Sequence, residues 1–205
     1  MNTSSIRTAL LLLTLIVLAV GGTVLWQQFT APRITEAEQQ LKAQRWLSVL
    51  PEQRYDNQPL QHPLHLGAAT LDHSRLLAGY LATLKGQPRA VVLHSQTQGY
   101  GGPLDLLIAI DEGGRLIGVK VLQQQETPGL GGKLVEPGNT WLQGFVGSSR
   151  QSIADTAWAL KRDSGQFDQL AGATVTSRAV IQATHDALRY FDEHRQQLLA
   201  GGADE

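Results

Sequence analysis

Three hydroxyl groups beside a glycine-containing turn are the best-placed chemical groups in this 205-residue chain. Residues 168–177 read Asp-Gln-Leu-Ala-Gly-Ala-Thr-Val-Thr-Ser and lead into a long helical pattern. The turn places the hydroxyl of Thr174 at a helix N-terminus, beside backbone N–H groups that lack intrahelical acceptors and favour anions. A phosphate group is the ligand that suits this arrangement.

The same residues could be an ordinary helix start. Thr174, Thr176 or Ser177 could each cap the helix, with Gly172 and Ala173 forming only the preceding turn. Local sequence leaves both interpretations open, and the distribution of glycine elsewhere in the chain bears on the choice.

Two further glycine-rich stretches precede this run. Residues 99–103 read Gly-Tyr-Gly-Gly-Pro, and residues 126–132 read Glu-Thr-Pro-Gly-Leu-Gly-Gly. Glycine lets the backbone approach a flat or phosphorylated ligand closely, and it adopts positive φ without a steric penalty. Three such stretches in one domain indicate a ligand site, although none matches a nucleotide-binding fingerprint.

Composition excludes several classes of function. The chain has 17 Lys+Arg against 18 Asp+Glu, so nothing indicates a nucleic-acid partner. With 0 cysteines it has no disulfide, thiolate metal site, iron–sulfur ligand or cysteine nucleophile. His62 and His65 have a ligand-like spacing but no acidic companions, and no serine lies in a nucleophile elbow. We assign no catalytic residue and no metal ligand, so redox chemistry would need a bound cofactor.

An uncharged run near the N-terminus predicts a membrane span. Residues 9–26 contain no charge, and at the helical rise they extend over about 27 Å, close to the hydrocarbon thickness of a bilayer. The alternative is a cleavable signal peptide, because residues 19–21 are small enough for a cleavage site. The length of the run and the interfacial position of Trp26 favour a retained helix.

The positive-inside rule orients this helix by Arg7, with the short N-terminal tail in the cytoplasm and the rest of the chain in the periplasm. The predicted organisation follows in chain order: a cytoplasmic tail at 1–7, a transmembrane helix at 8–29, a juxtamembrane helix and linker at 30–66, a periplasmic domain at 67–199 and a flexible tail at 200–205.

The domain is predicted to have an α+β fold. Alternating apolar residues predict strands at 76–84, 90–96, 104–110 and 116–122, and the Asp-Glu-Gly-Gly sequence before the last strand is a hairpin signal. Residues 178–199 repeat apolar side chains at helical spacing. The pattern predicts one antiparallel sheet with a packed C-terminal helix.

The order and spacing of the motifs resemble a known family. Residues 168–174 resemble the signature Asp-x-x-[Ser/Thr]-Gly-Ala-[Thr/Ser] of proteins that carry FMN through its phosphate on the last hydroxyl, although Ala171 stands where Ser or Thr is usual. Together with the other two stretches and the N-terminal anchor, this resembles the G subunit of the Rnf-type (Rsx) ion-translocating electron transport complexes. The C subunit of the Na⁺-translocating NADH:quinone reductase shares this domain, is typically longer, and is the nearest alternative.

The resemblance implies an electron-carrying subunit with one covalent FMN, in an inner-membrane complex that couples electron transfer to ion translocation. A dedicated flavin transferase would use FAD to attach FMN to Thr174, recognising a motif that includes Asp168, Gly172 and Ala173. The implied partners are the other membrane and iron–sulfur or flavin subunits of the complex. A non-redox, membrane-anchored assembly module is the alternative from a different functional class.

The remaining glycine-rich stretches supply the candidates for the flavin pocket. We expect the 126–131 backbone to line the ring or the ribityl chain, with Leu130 as an apolar contact and Pro128 stiffening the loop; a simple tight turn is the alternative. Tyr100 could pack near the ring or cap the core. The full set of pocket candidates is Glu126, Thr127, Pro128, Gly129, Leu130, Gly131, Tyr100, Thr176 and Ser177.

Overall fold

The computed structural model describes residues 12–23, 26, 46–51, 55–66 and 70–201. Contacts divide the chain into two units, Met1–Arg45 and Trp46–Glu205. In the first unit, residues 12–23 are helical and their large apolar side chains are exposed. Within the described residues, no helix combines the length and the apolar character that a bilayer crossing requires.

Several predicted segments fall outside the described residues. They include the whole of the predicted tail at 1–7, the ends of the predicted span at 8–29, and most of the predicted juxtamembrane helix. Its last described part, residues 46–47, is helical and belongs to the second unit. The second unit therefore begins well before residue 67, where the sequence pattern placed the start of the domain.

An antiparallel meander of five strands forms the centre of the second unit, and its strand order follows the chain. The strands are β1 Pro63–Leu64, β2 Ser74–Leu84, β3 Gln87–Gln98, β4 Pro103–Asp111 and β5 Leu116–Gln123. The four predicted strands are confirmed, each slightly longer than its apolar pattern. The two-residue β1, within the predicted linker, was not predicted because so short a strand has no periodicity.

Turn residues set the register of the meander. Lys85 and Gly86 have φ values of 54° and 73° and join β2 to β3 as a two-residue hairpin turn, with Leu84 opposite Gln87. At the β4–β5 turn, Asp111 Oδ1 accepts the N–H of Gly113 at 2.9 Å. These local bonds fix which side chains of each strand face the helix.

One long helix, Thr174–Leu199, packs across the sheet against β2, β3 and β4. Its buried stripe includes Val180, Ile181, Leu188 and Phe191, all fully buried against apolar side chains of the sheet. The predicted α+β fold is therefore confirmed. The helix begins four residues before residue 178, where its apolar periodicity becomes visible.

The opposite side of the sheet is covered by residues 46–51. Leu47, Val49 and Leu50 are buried, and the ring of Trp46 lies edge-on to that of His94 with centroids 5.0 Å apart. Aliphatic burial on this scale contributes roughly 1.5–3 kcal/mol per large side chain. The sheet is thus a central layer, with the helix on one face and this short segment on the other.

Short 3₁₀ helices connect β5 to the C-terminal helix and carry an aromatic cluster. Phe145 and Phe167 stack at 4.8 Å between ring centroids, Trp158 lies 5.1 Å from Phe167, and Trp141 meets Phe145 edge-on at 5.2 Å. These rings hold the segment that precedes residue 168 against the core, and so they position the start of the helix.

Asp186 fastens the helix to the start of β2. Its side chain is 1 % exposed, and Oδ2 accepts the His73 N–H at 2.8 Å and the Ser74 hydroxyl at 3.1 Å. Arg189 lies 3.5 Å from Oδ1. A buried carboxylate with these partners is satisfied, and its removal would leave the buried Ser74 hydroxyl and the His73 N–H without this acceptor.

We expect Asp186→Ala to lower the free energy of unfolding by about 2 kcal/mol, because the buried Ser74 hydroxyl and the His73 N–H lose their acceptor, while Arg189 keeps its ion pair with Asp72. Urea denaturation of the full chain in detergent measures this value. Glu193→Ala is the matched control, since Glu193 is an exposed carboxylate on the same helix and its loss should change stability by less than about 0.5 kcal/mol. Equal effects of the two variants would contradict the structural role of Asp186.

Candidate functional site

The three glycine-rich stretches meet at one cleft of about 330 Å³. The first stretch connects β3 to β4, the second follows β5, and the third forms the start of the C-terminal helix. The cleft is lined by Tyr100, Glu126, Thr127, Leu130, Gly131, Gly172, Ala173, Thr174, Val175 and Thr176. Segments far apart in the chain thus form one concave surface.

The Glu126 carboxylate links the three stretches. It is 7 % exposed, and Oε2 accepts the Thr176 hydroxyl at 2.6 Å while Oε1 accepts the Gly101 N–H at 3.1 Å. Charge-assisted hydrogen bonds of this kind are shorter and stronger than neutral ones. One side chain of the second stretch therefore holds the first stretch and the start of the helix in place.

Glycine is required around this carboxylate because the chain approaches it so closely. A Cβ at Gly99 would lie 2.2 Å from Glu126 Oε1, and one at Gly131 would lie 2.3 Å from Oε2. At Gly172, φ is +78° and a Cβ would lie 2.7 Å from Leu130 Cδ2. These contacts give a steric reason for one glycine in each stretch.

The helix start presents backbone donors to the cleft. Thr174 is the first helical residue, and Ala173 before it provides no side-chain cap. The first α-helical hydrogen bond runs from the Ser177 N–H to the Ala173 carbonyl at 2.9 Å. The N–H groups of Thr174, Val175 and Thr176 therefore have no acceptor within the helix, which favours an anion at this end.

The three hydroxyls at the helix start have different environments. Thr174 is partly exposed, and its hydroxyl donates to Gln169 Oε1 at 3.0 Å. Thr176 is 1 % exposed and donates to Glu126. Ser177 is fully buried outside the cleft lining, where it donates to the Ala173 carbonyl at 2.8 Å. Of these three hydroxyls, that of Thr174 is the one both in the cleft lining and accessible from outside.

Other predicted residues lie in or around the cleft at varying exposure. Tyr100 is 75 % exposed in the lining, so it does not cap the core, and Leu130 is 43 % exposed beside it. Pro128 and Gly129 are exposed and lie outside the lining. The 126–131 stretch thus contributes its two ends to the cleft, while its middle turns to solvent.

Asp168 lies outside the cleft lining. Its side chain is 72 % exposed and pairs with Lys161, whose Nζ lies 2.6 Å from Oδ2. Its backbone carbonyl accepts the Trp141 Nε1–H at 2.7 Å. The carboxylate is accordingly accessible to another molecule, while the backbone of this residue is fixed.

Val175 was missed by the sequence analysis. It lines the cleft with 47 % of its surface exposed. Its position next to Thr174 in an otherwise polar first turn is the only sequence signal. Together with Tyr100 and Leu130 it provides apolar surface for a flat group, next to helix donors suited to a phosphate.

Comparisons with known proteins show the family to which this chain is related. The model of the FMN-binding domain family matches residues 99–189, which include all three glycine-rich stretches. The G subunit of the ion-translocating oxidoreductase complex from Pseudomonas aeruginosa (strain UCBPP-PA14) is 45% identical over 96% of this chain and 93% of its own length. The protein of the same name from Shewanella loihica is 37% identical over 97% of this chain and 95% of its own. The crystal structure of Shewanella oneidensis NqrC matches 60% of this chain and 61% of its own, at 23% identity and a TM-score of 0.47.

We expect Gly131→Ala to lower the free energy of unfolding by about 1–3 kcal/mol, because the new Cβ must displace the Glu126 carboxylate or the Thr176 hydroxyl. The control is Gly144→Ala, where no atom lies within 4 Å of the added Cβ and the change should stay within about 0.5 kcal/mol. Urea titrations of both variants compare them directly. If the Gly131→Ala variant is as stable as the Gly144→Ala variant, the close packing of Gly131 against Glu126 does not contribute to the free energy of unfolding.

Proposed function

The chain belongs to the family of G subunits of ion-translocating oxidoreductase complexes, and we propose that its cleft holds one FMN bound covalently to Thr174 Oγ1. The observation that carries the proposal is the position of Thr174. It is a partly exposed hydroxyl on the first residue of an uncapped helix, in the lining of the cleft. A phosphate esterified at this oxygen would lie next to the backbone N–H groups of the first helical turn, which have no acceptor within the helix.

The residues present fit this cofactor. The cleft volume of about 330 Å³ lies within the range of small-molecule sites. Tyr100, Leu130 and Val175 offer exposed aromatic and apolar surface to a ring system. Both oxygens of the Glu126 carboxylate accept hydrogen bonds from the chain, so this side chain holds the walls of the cleft together.

Attachment would require a separate flavin transferase with FAD as the donor. The Thr174 oxygen forms a bond to the FMN phosphorus, the diphosphate bond of FAD breaks, AMP leaves, and the hydroxyl proton passes to a base of the transferase. The exposed Asp168 carboxylate is available for recognition during this step. Once formed, the phosphodiester charge is stabilised by the helix dipole and by the N–H groups of the first turn.

Bound FMN supplies the chain with one- and two-electron chemistry. The chain's own residues hold the cofactor, limit its exposure and set the charge around it. Covalent attachment also replaces a concentration-dependent equilibrium by a high effective concentration, which matters where free flavin is dilute. The protein then serves as an electron-carrying subunit, with the other membrane and iron–sulfur or flavin subunits of the complex as its partners.

The proposed topology has one inner-membrane span at residues 8–29, the tail at 1–7 in the cytoplasm and the FMN-binding domain in the periplasm. The uncharged run at 9–26, the exposed apolar side chains of the helical residues 12–20, and Arg7 on the short flank support it. One such helix without charged groups provides no ion pathway, so ion movement is assigned to the partner subunits.

We expect Thr174→Ala to abolish the flavin adduct when the chain is co-expressed with the transferase, because no oxygen remains to form the ester. Thr174→Ser should keep the adduct, since it retains the hydroxyl. Flavin fluorescence in a denaturing gel and the mass of the peptide that contains residue 174 provide the measurement.

Thr127→Ala is the control for that experiment, because it removes another threonine from the same cleft and should leave the adduct intact. Retention of covalent flavin by Thr174→Ala would contradict the assignment of the attachment atom. An unmodified wild-type peptide would instead favour a non-redox assembly module.

The topology predicts that alkaline phosphatase, which needs the oxidising periplasm, is active when fused after Glu205. The same reporter fused after Arg7 is the inactive control, because a fusion at that point lacks the span at 8–29 and cannot be exported. Enzyme activity in whole cells, normalised to the amount of fusion protein, is the measurement. If the alkaline phosphatase fusion after Glu205 is inactive, while a reporter that works only in the cytoplasm is active at the same position, the predicted orientation is wrong.

A further inference from the structure

We propose that Gln169 is a positioning residue for the modification of Thr174, and that it exchanges hydrogen-bonding roles when the flavin is attached. Its side-chain carbonyl orients the free hydroxyl, and after a half-turn of the amide its NH₂ group donates to the phosphodiester. This inference rests on the proposed attachment at Thr174.

The first role follows from the observed hydrogen bond. The Thr174 hydroxyl donates to Gln169 Oε1 at 3.0 Å. A hydroxyl has a single hydrogen, so the acceptor that binds it also decides where the two lone pairs point. With its hydrogen directed at Gln169 before the reaction, Thr174 Oγ1 presents its lone pairs to an incoming phosphorus and its χ1 rotation is restricted. The hydrogen turns to the base of the transferase as the oxygen–phosphorus bond forms.

The position of Gln169 is fixed by its neighbours on both sides. The Asp168 carbonyl accepts the Trp141 indole N–H at 2.7 Å, and the Leu170 N–H donates to Ser177 Oγ at 2.9 Å. Leu170 is also 7 % exposed, and its carbonyl accepts the Ala173 N–H at 3.0 Å. The backbone that carries Gln169 is therefore held against the helix start. Because the Cα of Gln169 is fixed in this way, its exposed side chain can reach the Thr174 hydroxyl.

The second role follows from the chemistry of the product. Once Thr174 Oγ1 is an ester oxygen it has no hydrogen, and Gln169 Oε1 would then face an oxygen that can only accept. Rotation of the terminal amide exchanges carbonyl and NH₂ in nearly the same volume, which turns the acceptor into a donor for a phosphodiester oxygen. Glutamate can fill only the first role and methionine neither, which separates the two roles experimentally.

The experiment uses the full chain in detergent with purified flavin transferase and FAD. Gln169→Met should reduce kcat for flavin attachment about fivefold, the loss expected for one hydrogen bond, and leave KM for the chain within about twofold. The control is Gln166→Met, which changes a glutamine three residues earlier that is outside the cleft lining and should behave like the wild type. A rise in KM alone would assign Gln169 to transferase docking and overturn the positioning role.

The phosphorus NMR resonance of the attached chains tests the donor role. Gln169→Met and Gln169→Glu should both shift the phosphodiester resonance relative to wild type, because neither side chain can donate to it, whereas Gln166→Met should not. Unchanged resonances would overturn the exchange of roles. If the wild-type chain acquires no flavin at Thr174, the proposed function itself fails; if it does and Gln169→Met matches it in rate and resonance, only this inference fails.

Discussion

The buried Glu126 carboxylate is the interaction on which the site depends. A carboxylate that is 7 % exposed must receive donors, and here they come from a backbone N–H of the β3–β4 stretch and from the helix hydroxyl of Thr176. Meeting that requirement brings three distant segments together, and the close approach leaves no room for side chains at Gly99 and Gly131. The buried carboxylate and the glycines that pack against it therefore depend on each other, and together they form the cleft.

The same constraint explains why one hydroxyl remains for chemistry. Thr176 is committed to Glu126, and Ser177 braces the Leu170 N–H and the Ala173 carbonyl, so neither caps the helix. The first turn keeps its backbone donors, and the Thr174 hydroxyl stays in the cleft lining with Gln169 as its partner. The helix start therefore has no side-chain cap, because the neighbouring hydroxyls of Thr176 and Ser177 bind other groups. Such a helix start is well suited to holding a phosphate.

The sequence predicted the strands and the helix because their signals, turn residues and apolar periodicity, depend only on residues that are close together in the chain. Residue types also predicted that the glycine-rich stretches contribute to one ligand site, and all three stretches line one cleft. The Glu126–Thr176 hydrogen bond could not be predicted from the sequence. The two residues are 50 positions apart, and each could pair with many other polar residues. Val175 and the two-residue β1 carried no periodic signal. The helix start at Thr174 was indicated by the preceding glycine turn and not by apolar periodicity, because Thr174 and Val175 line the cleft rather than the core.

A crystal structure of the flavin-loaded chain tests the central claim most directly. We expect electron density continuous from Thr174 Oγ1 through a phosphate at the helix start and into the cleft beside Tyr100, Leu130 and Val175, with the Glu126–Thr176 bond retained. Density for flavin on another side chain, or a flavin outside a cleft whose Glu126 contacts are broken, would contradict it.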